Sequence, residues 1–175
     1  MQFTDAAIEG ALIIELEPAA DERGMFARTY CEELFAQRGL VTHWPQCNTS
    51  FNKRAGTLRG LHYQAEPYPE TKLVRCTRGA AFDVAVDIRP QSPTFKRWFA
   101  TELSADNRRM VYLPGGVAHG FQALVDETEL FYQMSESYRP EYARGVRWDD
   151  PALGIAWPLP NPLLSERDRK FPGLQ

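Results

Sequence analysis

The stretch AFDVAVDI, residues 81–88, carries the clearest structural signal in the chain. Phe82, Val84, Val86 and Ile88 alternate with Ala81, Asp83, Ala85 and Asp87, a period of two that sorts large apolar side chains to one face and small or acidic ones to the other. The pattern is that of a strand buried on its large apolar face and small or polar on its second. Working outward, ALIIELEP (11–18), CNTSFN (47–52), TLRGLHYQ (57–64), KLVRCT (72–77), WFATEL (98–103), MVYLP (110–114), GFQALV (120–125) and TELFYQMSE (128–136) also read as strands, bounded by Gly, Pro, Asp or Ser turn signals. Many short strands and few helices imply an all-β sandwich or barrel. A helix is expected in CEELFAQRG (31–39), packing Leu34 and Phe35 and ending at Gly39, and a helical turn capped by Ser104 in SADNRRM (104–110).

With 175 residues, 43% of them hydrophobic and 25% charged, the chain suits a single globular domain, 1–175, without repeat or linker. Residues 138–175 are rich in Pro, Trp and charge and read as an ordered tail packed on the barrel, with Tyr138, Trp148, Trp157 and Phe171 as anchors. A formal net charge of −3 gives no basic field for nucleic acid, and no apolar run approaches the ~18 residues of a membrane span. The N-terminal segment lacks the basic leader of a signal peptide, and three widely spaced cysteines, Cys31, Cys47 and Cys76, suit a reducing cytoplasm better than a disulfide framework.

Three histidines are present: His43, His62 and His119. Metal-binding barrels of the cupin type present two histidines one residue apart; here Gln64 stands where the partner of His62 belongs, so no metal is expected. The chain lacks a GxSxG elbow, a GxGxxG turn and a P-loop, and Cys76 reads as a small core residue. General acid–base chemistry remains. From the pattern alone His62 suits either a packed strand residue or a base near neutral pH, and Tyr132 either a core tyrosine bonded to a backbone carbonyl or an acid. Arg59, Lys72 and Arg75 supply cations around the histidine segment; they suit either a surface charge run or, for Arg59 and Lys72 at a barrel mouth, groups that hold a diphosphate and polarise a ketone.

The segments DERGMF (21–26), TLRGLHYQ (57–64), KLVRCTRGAAFDVAVDIRPQSPTF (72–95), LSADNRRMVYLPGGVAHGF (103–121), ELFYQMSESYRP (129–140), RGVRWDDPALGIAWP (144–158) and LSERD (164–168) resemble, in order and over nearly the whole chain, the dTDP-4-dehydrorhamnose 3,5-epimerase family. The resemblance implies a cupin-type jelly roll without metal or cofactor. It also implies a homodimer whose N-terminal strand reaches into its partner, and inversion of carbons 3 and 5 of a nucleotide-linked 4-keto-6-deoxyhexose. By position, His62 resembles the base, Asp168 its support, Tyr132 the acid and Lys72 the group that stabilises the enolate oxygen. Arg59 and His119 resemble diphosphate and sugar contacts, and Gln46 and Asn48 resemble polar substrate contacts. Tyr138 resembles an aromatic stacked on the base, and Arg167 is placed with the substrate contacts. Arg23 and Phe26 resemble contacts delivered by the partner subunit.

Departures concentrate near the nucleotide. Arg28 replaces an acidic residue and Ala143 a glutamate, while Cys47 and Thr49 replace Asp and His, and AEPYPETKLV (65–74) differs from the family's shorter glycine-containing turn. An arginine suits the acceptor atoms of cytosine where a carboxylate suits the N3 hydrogen of thymine, so Arg28 raises a CDP-linked sugar as a rival substrate. The sequence also leaves open epimerisation at one carbon only, a non-catalytic sugar-nucleotide-binding cupin and a metal-dependent cupin oxygenase. Arg59 and His62, three residues apart, would point to opposite faces of a regular strand, so an irregularity is expected at Gly60.

Overall fold

The computed structural model describes residues 1–174; Gln175, the last residue of the expected 1–175 domain, lies outside the described residues. In chain order the strands are β1 (Gln2–Asp5), β2 (Leu12–Glu15), β3 (Ala19–Asp21), β4 (Gly24–Phe26), β5 (Gln46–Asn52), β6 (Leu58–Gln64) and β7 (Lys72–Arg78). They continue as β8 (Ala80–Asp87), β9 (Trp98–Ser104), β10 (Met110–Leu113), β11 (Val117–Ala123), β12 (Thr128–Met134) and β13 (Ala143–Gly145). Helix α1 covers Glu32–Ala36 and α2 covers Glu166–Arg169. Among the described residues the strands form a six-stranded sheet, β1-β2-β10-β7-β12-β5, a five-stranded sheet, β13-β6-β11-β8-β9, and the separate β3–β4 hairpin. All named pairings are antiparallel, and the two large sheets make the expected jelly-roll sandwich of the cupin type.

Strand alternation assigns each face. Val74, Cys76, Ala85, Val111, Phe121 and Leu130 meet between the sheets. Leu61, Val84, Val86 and Ala118 point outward from the five-stranded sheet and are covered by the tail through Val146, Leu153 and Trp157. Ile14, Leu73, Met110 and Tyr112 point outward from the six-stranded sheet and are covered by Phe35 of α1 with Tyr30 and Trp44. Each of these fully buried large side chains contributes roughly 1.5–3 kcal/mol.

The structure corrects two sequence expectations. The small, acidic face of residues 81–88 is buried as deeply as its apolar face, because it looks into the sandwich. The single turn expected after Ser104 forms at residues 105–107: the Arg108 N–H donates to the Ser104 carbonyl at 2.9 Å, and Ser104 and Asn107 side chains accept from each other's backbone N–H at 3.1 and 3.0 Å. Tyr138 is 51% exposed and anchors nothing, whereas Trp157 packs on Phe82 and donates to the Trp148 carbonyl at 2.9 Å. The helix expected in 31–39 forms as α1, with Gly39 just beyond it at φ +68°. Among the described residues no helix is long and apolar enough to cross a membrane.

At the end of β8, Asp87 is fully buried and accepts from Arg89 Nε and Nη2 (2.9 and 2.8 Å), Ser92 Oγ (2.5 Å) and Thr94 Oγ1 (2.6 Å). Burial alone would raise its pKa, but these donors outweigh it and hold the carboxyl well below its ordinary 3.8. Its contribution to stability is complete above pH 3.8 and fades as pH falls from there through the folded-state value. Asp87→Asn is expected to cost roughly 3 kcal/mol in urea unfolding at pH 7. The gap between variant and parent should narrow in the same measurement as pH is lowered beneath that range.

Candidate active site

A cavity of about 300 Å³ opens between the two large sheets, lined by β5, β7 and β12 on one wall and by β6 and β11 on the other. A larger recess, about 690 Å³, lies near Arg54, Trp148 and Arg169, but it contains neither His62 nor Tyr132. The smaller cavity gathers the groups that can move protons.

Its geometry begins at Gly60. The register between β6 and β11 runs His119 to His62, then shifts so that Phe121 pairs with Arg59. Gly60 has φ +139°, its peptide to Leu61 is cis, and a Cβ placed on it would stand 2.5 Å from the Gly120 Cα. Only glycine fits both the dihedral and the approach. The expected irregularity is therefore present, and it brings Arg59 and His62 to the same cavity.

His62 Nε2 lies 2.7 Å from Asp168 Oδ1, and the second Asp168 oxygen accepts from the Gly60 N–H at 3.3 Å. Asp168 is carried by α2, whose N-terminal Ser165 accepts from the Asp168 N–H at 3.1 Å. Burial pushes the Asp168 pKa up, but the His62 hydrogen bond and charge, with the Gly60 and Ser165 donors, more than reverse this and lower it. An ionised Asp168 accepts from Nε2–H and so leaves Nδ1 of the neutral ring to take a proton. Phe171 packs edge-on to the imidazole, with centroids 5.6 Å apart.

Across the gap, Tyr132 packs against the inter-sheet core and its ring meets His119 edge-on at 6.0 Å. Burial, then the Asp83 carboxylate, drive its pKa far above the ordinary 10 against the opposing charge of Arg59, so its phenol keeps its proton at neutral pH. His119 Nε2 in turn lies 2.8 Å from Asp83 Oδ2, both residues being buried. Lys72 starts β7 in the six-stranded sheet and reaches across to donate to the His62 carbonyl at 3.0 Å. The Nε2 atoms of His62 and His119 are thus each taken by a carboxylate. Among the described residues no three His, Cys, Asp or Glu side chains cluster closely enough to hold a metal ion.

Residues 5–175 match the family model described as dTDP-4-dehydrorhamnose 3,5-epimerase. The chain belongs to that family. The enzyme of this name from Methanothermobacter thermautotrophicus is 46% identical over 177 aligned positions, covering 99% of this chain and 95% of the relative. Among solved structures, the dTDP-4-dehydrorhamnose 3,5-epimerase from Bacillus anthracis with TDP and PPi bound superposes with a TM-score of 0.95 at 41% identity, covering 99% of both chains. The 3'-monoepimerase ChmJ from Streptomyces bikiniensis, in complex with dTDP-quinovose, superposes at 0.91 with 40% identity, covering 97% of this chain and 86% of that one.

In this member of the epimerase family, His62, Lys72, Tyr132, Gln46, Asn48, Arg59, His119, Tyr138 and Arg167 line the cavity, with Asp168 directly behind His62. Arg59 is aimed by bonds from Nε to Asn52 Oδ1 (2.8 Å) and from Nη2 to the Phe51 carbonyl (3.3 Å). Arg23, Phe26 and Arg28 do not line it. Arg23 pairs with Asp21 on the exposed β3–β4 hairpin, Phe26 is 78% exposed, and Arg28 donates weakly to Cys31 Sγ at 3.7 Å. Sequence reasoning missed Asp83, Ser50, Glu70 and Arg144. Asp83 had a signal, an acid in the middle of the most regular strand; Ser50 shares a face of β5 with Gln46 and Asn48, and its buried hydroxyl has no hydrogen-bond partner among the described residues.

Gly60→Ala is expected to abolish turnover and to lower the thermal midpoint by several degrees, since both the dihedral and the 2.5 Å approach oppose any side chain. Activity assay and thermal melting of the purified variant check this.

Proposed function

We propose that this chain inverts carbons 3 and 5 of a dTDP-linked 4-keto-6-deoxyhexose by proton transfer through an enolate. The observation that carries the reading is a histidine fixed by a buried aspartate on one sheet, a protonated tyrosine on the other, and a lysine bridging between them. A C4 ketone acidifies its neighbours C3 and C5. His62 Nδ1 removes the proton, the C4 oxygen gains charge, and Lys72 donates to it. Tyr132 then delivers a proton to the opposite face of the carbon. Each inversion leaves imidazolium at His62 and phenolate at Tyr132, and solvent in the open cavity returns the proton. Arg59 eases the phenolate step by its charge. Arg59, Arg144 and Arg167 at the cavity suit the diphosphate, and the exposed Tyr138 ring suits the nucleobase.

We propose a homodimer in which each hairpin brings Arg23 and Phe26 to the partner's cavity. Among the described residues the hairpin strands pair only with each other, and Phe26 and Met25 are exposed at 78% and 44%. Arg28 follows directly after the hairpin and travels with it. The free thiols of Cys31, Cys47 and Cys76 suit a cytoplasmic setting. Inversion at C3 alone is the second reading, favoured by the likeness to a structure named as a 3'-monoepimerase.

Solvent-deuterium exchange followed by NMR at each carbon, on TDP- and CDP-linked 4-keto sugars, tests these statements together. Exchange and inversion at both C3 and C5 with TDP preferred is the expected result; exchange at C3 only selects the second reading, and CDP preference overturns the thymine assignment. His62→Ala should eliminate exchange at both carbons while retaining ligand binding. Tyr132→Phe should retain exchange but lose inversion by about 10²–10⁴-fold. Persistent exchange in His62→Ala removes the assigned base. Sedimentation of the parent chain should give a dimer, and Arg23→Ala should raise KM with little change in kcat.

A further inference from the structure

Lys72 poses a physical problem. It is only 4% exposed, and a lysine has a flexible four-carbon stem and a strongly hydrated ammonium. A buried ammonium needs a counter-charge and fixed acceptors. The His62 carbonyl supplies one acceptor at 3.0 Å, and Glu70 Oε1 supplies another at 3.0 Å. The Glu70 side chain is itself only 10% exposed and borders the same cavity.

We propose that Glu70 is the positioning residue for Lys72: it neutralises the buried ammonium and occupies one of its N–H groups, so that the third points at the oxygen where charge develops. This rests on the enolate reading above. Glu70, Thr71 and Lys72 run into the start of β7, and residues two apart in an extended segment share a face. The segment bearing Glu70 is held by its own bonds. Gln64 Nε2 donates to the Tyr68 carbonyl at 2.8 Å, the Tyr68 ring meets Tyr142 edge-on and carries the Arg139 guanidinium over its face, and the Thr71 N–H donates to Ser135 Oγ at 2.8 Å. The turn at 65–71 thereby delivers a carboxylate to Lys72.

Two measurements test this. In ¹⁵N-lysine-labelled protein, the Lys72 ammonium should exchange its protons more slowly than the other lysines, with assignment by its loss in Lys72→Met, and Glu70→Ala should remove that protection. In kinetics, Glu70→Ala should lower kcat about 10-fold with KM within about twofold, and Glu70→Gln, which keeps an acceptor oxygen, should recover part of the loss. In a Lys72→Met background, Glu70→Ala should have no further effect on kcat. Unchanged ammonium protection in Glu70→Ala overturns the proposal whether or not the parent chain is active. Multiplicative losses in the double variant also overturn it. Absence of exchange in the parent chain would overturn the enolate reading instead.

Discussion

The contact on which the site depends is the approach of two backbones, β6 and β11, at Gly60 and Gly120. A Cβ on Gly60 would meet the Gly120 Cα at 2.5 Å, and one on Gly120 would meet the Arg59 carbonyl and the Leu61 side chain at 2.8 Å. Without side chains at either position, β6 gains an extra residue against β11. That one-residue shift reverses the facing of every residue beyond it, so Arg59 and His62 share a cavity while Leu61 stays in the outer core under the tail. Asp168 holds both parts of this arrangement, accepting from the Gly60 N–H with one oxygen and from the His62 ring with the other. The backbone irregularity and the orientation of the imidazole are therefore one feature.

Along the inward faces of the sandwich, polarity changes at the same level on strand after strand. On β7 the order is Lys72, Val74, Cys76; on β11 Phe121 lies one step deeper than His119; on β12 Leu130 lies one step deeper than Tyr132. The apolar part welds the sheets, and the polar part ends in ionisable groups that need hydrogen-bond partners. Each has a partner: His62 with Asp168, His119 with Asp83, Lys72 with Glu70. Burial also explains the division of labour. It keeps Cys76 a thiol, with its pKa raised to about 11, and keeps the Tyr132 phenol protonated.

The strands and the sandwich were legible because alternation is a local signal, and each strand read from it forms. His62, Lys72 and Tyr132 were legible through motif order, and Gly60 through a geometric conflict between two residues that had to meet. Asp83 and Glu70 were not read as site residues, since an acid in a strand or turn reads as a solvent-facing residue until the opposite sheet is in place. The inward face of β8 was misjudged for the same reason: small and acidic residues suit solvent or a crowded interior equally well, and only the packing of β11 against β8 decides between them. Arg23, Phe26 and Arg28 sit on or beside a hairpin that makes no sheet with the other described residues, so nothing local to them in the chain places them at the cavity.

The tail shapes the cavity as much as the fold. Strand β6 would be an edge, and edges pair indiscriminately unless covered. Here β13 pairs with it from Gln64 to His62, Leu61 and Val146 exchange backbone bonds at 3.1 and 2.9 Å, and Leu163 bonds to Gly56 and Leu58 at 2.9 Å each. Covering β6 in this way brings α2 to the level of His62 and so delivers Asp168. It also sets Phe171 against both the imidazole and Gly145, where an added Cβ would collide with the ring. Gly145 is thus required by the position of Phe171, whose ring packs edge-on to the imidazole. The segment least regular in the sequence is the one that fixes His62.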